Sequence, residues 1–272
     1  MNHYDKIETD NRKIKAIEKL EKYLATLQSS ADPQLQKKAS LLCVWIKTFV
    51  QYLDFEDRFD PTRLKKYKRG DIIKLDFGFN LGSELGGPHY SIVLDNNNSI
   101  NSPVITVVPL SSKRESYKPS LHNVDLGDEI YVKLKIKFDS LFQSANSELV
   151  EVKSLAENVD KLRLKINHIQ SIPPDNDSVD SASNEIDIIQ SDIKSRIKKI
   201  NDKIEILTKT KAEIDKMKKG SVAQIGQITT VSKMRIFDPK TNTCVLHGIK
   251  LTDYSLDLID AKISELYFKR AK

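Results

Sequence analysis

Between residues 11 and 29 the apolar positions Ile14, Ile17, Leu20, Leu24 and Leu27 recur at spacings of three and four, which predicts one apolar face of a helix. Asp32 can cap a second helix that has Pro33 in its first turn. Leu35, Ala39, Leu42, Trp45, Ile46, Phe49 and Leu53 lie along one side of it, and it should end before Pro61. The first 60 residues therefore read as a helical hairpin. The period then changes. DIIKLDF alternates Ile73, Leu75 and Phe77 with Lys74 and Asp76, as a half-buried strand does. SIVLD and PVITVVPL are short β-branched runs, separated by the turn-rich DNNNSINSP. Short strands at this spacing predict a small barrel or sandwich.

A third regime begins after Gly127. No glycine or proline occurs from Asp128 to Ile172. EIYVKLKIKF alternates locally, but a helical stripe runs far beyond it: Ile130, Leu134, Phe138, Leu141, Ala145, Leu149, Val152, Ala156, Val159, Leu162, Ile166 and Ile169. PPDNDSVDSAS, residues 173 to 183, breaks that stripe. A second follows through Ile186, Ile189, Ile193, Ile197, Ile200, Ile204, Leu207 and Ile214. The two predict an antiparallel helical hairpin, each 40-residue helix reaching roughly 60 Å. SVAQIGQITTV after Gly220 returns to β-type residues, and YSLDLIDAKISELYF sets Leu256, Ile259, Ile263 and Leu266 on one helical face. The expected fold is α+β in three parts. These are an N-terminal hairpin over 1–66, a discontinuous β domain with a C-terminal helix over 67–127 and 219–272, and an inserted coiled-coil arm over 128–218.

Composition narrows the class. Charged residues make up 30% of the 272, as long exposed helices require, and the net charge of +6 favours polyanionic partners such as nucleic acid. The polar N-terminus and the lack of any run near the roughly 18 apolar residues of a membrane span predict a cytoplasmic protein with no membrane partner. Cys43 and Cys244 are expected as reduced, buried thiols. The five histidines are scattered and no Cys/His cluster has zinc spacing, so no metal or other cofactor is expected.

GSELGGPHYSIVLDN, residues 82 to 96, concentrates three of the nine glycines ahead of a strand. It has neither a GxGxxG pattern nor a P-loop lysine, and no helix follows it, so it is not a nucleotide cradle. Together with KRGDIIKLDF, SPVITVVPLSS and GQITTVSKMRI, in that order, it resembles the MazF/PemK/Kid family of toxin endoribonucleases over residues 68 to 127 and 219 to 268. The resemblance implies a small SH3-like β-barrel, usually a homodimer. It also implies metal-independent cleavage of single-stranded RNA, such as mRNA, by attack of the ribose 2′-hydroxyl, and a protein antitoxin as partner. That chemistry needs a base, an acid, and donors or cations at the phosphorane.

Carried onto this chain, the resemblance puts His89 where relatives usually have a catalytic arginine, and Ser111 where they have a threonine or serine. Histidine can move a proton near neutral pH, which arginine cannot. Lys113 and Arg114 follow Ser111 and could contact the RNA backbone; a basic loop is also an ordinary solvated surface. Ser83, Glu84, Gly86 and Gly87 match the family's first loop, with Glu84 ordering it and the glycines letting backbone approach phosphate. Gln227 matches the late strand, and Thr229 stands where many relatives have arginine. Tyr90 could stack a base or belong to the core. The loss of both arginines leaves a second reading open, a non-catalytic RNA- or protein-binding module whose arm mediates assembly.

Overall fold

A computed structural model describes residues 5–169 and 176–268. Two helices open the chain, α1 (Lys6–Gln28) and α2 (Pro33–Glu56), capped by the Asp5 and Asp32 carboxylates, which accept from the Ile7 and Gln34 amides. They meet at Leu27 and Ala39, beside their connecting turn. Cys43 is exposed on α2 rather than buried, because it lies off the face that packs, and neither cysteine is paired.

The β part comprises β1 (Ile72–Asp76), β2 (Pro88–Val93), β3 (Val104–Ser112), β4 (Asn123–Asp125), β5 (Ser221–Gln224), β6 (Thr229–Ser232) and β7 (Ile236–Asp238). All pairings are antiparallel, in the order β4-β5-β3-β2-β1-β7, with β6 also on β3. β3 is long enough to hold β6 along its first half and β5 along its second. The expected SH3-like barrel does not close, since no ladder joins β6 to β7 and the sheet is open in its hydrogen bonds. The chain itself bridges the gap. A single 3₁₀ turn, Lys233–Arg235, leads from β6 to β7 and uses up the residues that a ladder would pair. Since β6 lies on β3 and β7 on β1, the sheet must curl.

The curled sheet is buried on both faces. Ile72 and Ile73 are each 0% exposed, which corrects the half-buried reading of DIIKLDF. Alternate side chains of a strand point to opposite faces. Ile73, Leu75, Val93, Ile105 and Val107 form an inner core with Tyr67 and Ile236. Ile72, Ile92, Val108 and Leu110 form an outer one. That outer face is covered by Leu256 and Ile259 of α5 (Asp253–Tyr267) and by Ile130 and Leu134 at the start of α3 (Glu129–Ile169). Each such burial contributes about 1.5–3 kcal/mol.

α3 and α4 (Asn176–Lys216) pack side by side between β4 and β5. α4 begins inside the segment expected to be a break, where no glycine or proline follows Pro174 to stop it. The rest of that expected break, residues 170–175, and the side chain of Ile169 lie outside the described residues. Ala145, Val152 and Val159 meet Ile186, Ile200 and Leu207 in a seam. Leu149, Ile197 and Ile204, expected in it, are 42–49% exposed. Their layers hold Glu148 and Arg196 or Lys203 instead, with Lys203–Glu148 paired at 2.7 Å and Arg196–Glu151 at 2.5 Å. Such charged layers fix register more than they add stability. At the base of the arm, Glu213 of α4 pairs with Lys74 of β1 and accepts from the Tyr90 hydroxyl of β2. Burial works to raise the Glu213 pKa, but these two donors outweigh it and hold it low.

Candidate functional site

A cleft of about 1080 Å³ opens where the ends of β2 and β3 meet the 113–117 loop, the end of α4 and β5. His89 and Ser111 both line it. The β2–β3 ladder ends at Ser91 and Pro109, and just beyond it His89 stays on β1 opposite Leu75 while Ser111 pairs with Val222 of β5, so both side chains flank the cleft where β3 passes from one partner to the other. His89 Nδ1 lies 3.0 Å from the Leu110 carbonyl oxygen. A carbonyl only accepts, so Nδ1 carries the proton and the neutral ring leaves Nε2 as its basic atom. The Phe77 ring stands edge-on to the imidazole with centroids 6.4 Å apart, which restricts its tilt.

Ser111 is oriented by a residue the sequence reading missed. Gln224 of β5 donates its Nε2–H to Ser111 Oγ at 2.7 Å. One oxygen lone pair is thereby occupied, and the hydroxyl proton is left to donate elsewhere. Lys113 is not a free cation: its ammonium lies 2.6 Å from Asp125 and 5.5 Å over the Tyr117 ring. The hydrogen bond it donates to the Asp125 carboxylate raises the Lys113 pKa. The Arg114 guanidinium is exposed on the cleft and has no hydrogen bond or ion pair among the described residues; Lys218, which like Gln224 was not expected, adds a second free charge from just beyond the end of α4. The only signals for Gln224 and Lys218 were an undistinguished strand glutamine and a lysine run.

The remaining candidates divide. Glu84, Gln227 and Thr229 line a second cleft of about 510 Å³, together with Arg235. Leu85 forms a wall of both clefts, so they adjoin. Gln227 fixes that wall: its Oε1 accepts from the Leu85 amide at 2.6 Å and its Nε2 donates to the Ser83 carbonyl at 3.2 Å. Glu84 accepts from Leu81 within the same loop. Arg235 donates to the Phe77 carbonyl at 3.3 Å and stacks 5.5 Å from Trp45 of α2, putting a guanidinium beside the second cleft.

Four candidates, Ser83, Gly86, Gly87 and Tyr90, line neither cleft, and Tyr90 takes the core position that was one of its two readings. Tyr90 does not join His89, because adjacent strand residues face opposite ways; it packs on the outer core, under Lys74 and against Glu213. Burial raises its pKa strongly. Gly86 and Gly87 line neither cleft. The Gly87 amide donates to the Gly78 carbonyl at 2.7 Å, and a Cβ on Gly86 would lie 2.9 Å from that oxygen. These glycines close the β1–β2 connection and border an apolar groove beside α2.

Residues 68–176 match the family model described as PemK-like, MazF-like toxin of type II toxin-antitoxin system. The matched stretch spans 109 of the 272 residues and contains KRGDIIKLDF, GSELGGPHYSIVLDN and SPVITVVPLSS. The match covers β1 to β4 and α3 and stops before β5, so Gln224 and Gln227 lie outside it. No curated protein matches the chain. No helix among the described residues is long and apolar enough to cross a membrane.

Proposed function

We propose that this chain is the toxin of a type II toxin–antitoxin pair and cleaves single-stranded RNA in the His89–Ser111 cleft. The observation that carries the reading is that His89, fixed on the Leu110 carbonyl, and the neighbouring Ser111 line one cleft that also holds two unpaired cations. Nε2 of His89 takes the proton from the ribose 2′-hydroxyl. The 2′ oxygen attacks the adjacent phosphorus, and the bond to the 5′ oxygen breaks. Ser111, held as a donor by Gln224, hydrogen-bonds a non-bridging oxygen, and Arg114 and Lys218 offset the phosphorane charge. The cleft is open, so water protonates the departing 5′ oxygen and later receives the proton from His89. The products are a 2′,3′-cyclic phosphate and a 5′-hydroxyl. Glu84, Gln227, Thr229 and Arg235 line the path of the neighbouring nucleotides. A protein antitoxin covers both clefts.

The test is incubation of the purified chain with single-stranded RNA, with end-group analysis of the products. Cyclic phosphate ends that vanish in His89→Ala, with its circular dichroism unchanged, support the reading. An undiminished rate in that variant refutes it.

A further inference from the structure

The N-terminal hairpin carries far more apolar surface than it buries. Every residue from Lys6 to Lys19 except Asp10 is exposed, so the first half of α1 packs against nothing, although Ile7, Ile14 and Ile17 continue its apolar stripe. A helical segment of that length is marginal in water without a packing partner. On α2, Leu41, Val44, Thr48 and Phe55 lie on one face at spacings of three, four and seven; the three apolar ones are 51%, 61% and 44% exposed. Leu41 and Val44 form one wall of an apolar groove of about 480 Å³, whose other wall is Gly86, Pro88 and Phe237 of the β part.

Charge along α2 says what fits there. Its body holds Lys37, Lys38 and Lys47 in the first two thirds and Asp54 and Glu56 at the end. Apart from the Asp32 cap, this order opposes the helix dipole. Lys37, Asp54 and Glu56 have no ion-pair partner among the described residues. A second α2 running antiparallel, about a two-fold axis near Trp45 and Ile46, sets Lys37 of each against Asp54 of the other. Val44 then meets Thr48 across the axis. Leu41, Val44 and Phe55, with Pro88 and Phe237 across the groove, supply the apolar contact.

We infer that this face binds a second copy of the chain through antiparallel pairing of α2 with α2, which seats each α2 in the groove of its partner. The test is sedimentation equilibrium of the full-length chain. Val44 is so exposed that Val44→Asp leaves the fold intact, which circular dichroism checks. The expected result is a twofold fall in particle mass in that variant, from whatever assembly the wild type forms. Lys37→Glu should weaken association about tenfold, and Lys37→Glu with Asp54→Lys should restore it, because the pair is exchanged and not lost. A monomeric wild type, or a mass that Val44→Asp leaves unchanged, overturns the pairing and leaves the face to a different partner. A double variant no tighter than Lys37→Glu alone overturns its antiparallel register.

Discussion

Gln227, in the turn between β5 and β6, holds the 81–87 loop by two hydrogen bonds, and its replacement gives the sharpest test of how the clefts are built. In Gln227→Ala both bonds go: the part-buried one from the Leu85 amide at 2.6 Å and the exposed one to the Ser83 carbonyl at 3.2 Å. A typical net contribution is about 0.5–1.5 kcal/mol per bond, and a donor left unsatisfied costs about 1–3 kcal/mol. The alanine variant should therefore release the loop by about 1–3 kcal/mol, equivalent to roughly a 5- to 150-fold rise in amide exchange. Glutamate at the same site keeps the acceptor for Leu85 and loses the donor to Ser83, so it should recover more than half of the protection. Hydrogen exchange read at the Leu85 amide makes the comparison. If Leu85 exchanges equally fast in wild type and Gln227→Ala, something else holds the wall between the clefts and the site as drawn here is wrong.

Three further outcomes follow from the packing. Gly86→Ala brings a Cβ to 2.9 Å from the Gly78 carbonyl oxygen, a backbone atom that cannot swing away; urea unfolding should show a loss of about 1–3 kcal/mol. The folded-state pKa of Glu213 is depressed, so its contribution is fully present above the unfolded carboxylate value and is lost as pH falls through the folded one. Glu213→Gln should accordingly flatten the acid limb of the melting-temperature profile, and an acid limb unchanged from wild type would remove Glu213 from the arm's attachment. Gln224→Glu replaces a donor to Ser111 with an acceptor that claims the hydroxyl proton; cleavage should fall at least tenfold with little change in melting temperature, and equal rates would show that Ser111 needs no such orientation.

The sequence made the helices plain because their apolar stripes run for many turns, and the arm was readable even across EIYVKLKIKF, whose short alternation mimics a strand. Its seam was less so. Leu149 and Ile204 fit the period as well as Glu148 and Lys203 do, and only the pairing of the two helices chooses between neighbouring positions. β4 is three residues, NVD, too short for any period to register. The doubly buried β1 was hidden because Lys74 and Asp76 imitate a solvent face, whereas Lys74 is in fact paired to the arm. At the site, the motif order pointed to His89 and Ser111. Their shared cleft depends on β2 lying beside β3, and the role of Gln224 depends on β5 returning beside β3 after the whole arm. Tyr90 shows the converse: a neighbour in sequence need not be a neighbour in a cleft.

The central claim is that the His89–Ser111 cleft breaks RNA by 2′-hydroxyl attack. Its most direct test compares an RNA strand with one whose ribose 2′-hydroxyls are all replaced by 2′-methoxy groups, under single-turnover conditions with wild type and His89→Ala. The account predicts cyclic phosphate products from the unmodified strand with wild type alone, and none from the methylated strand. Cleavage of the methylated strand, or equal cleavage of plain RNA by both proteins, would contradict it.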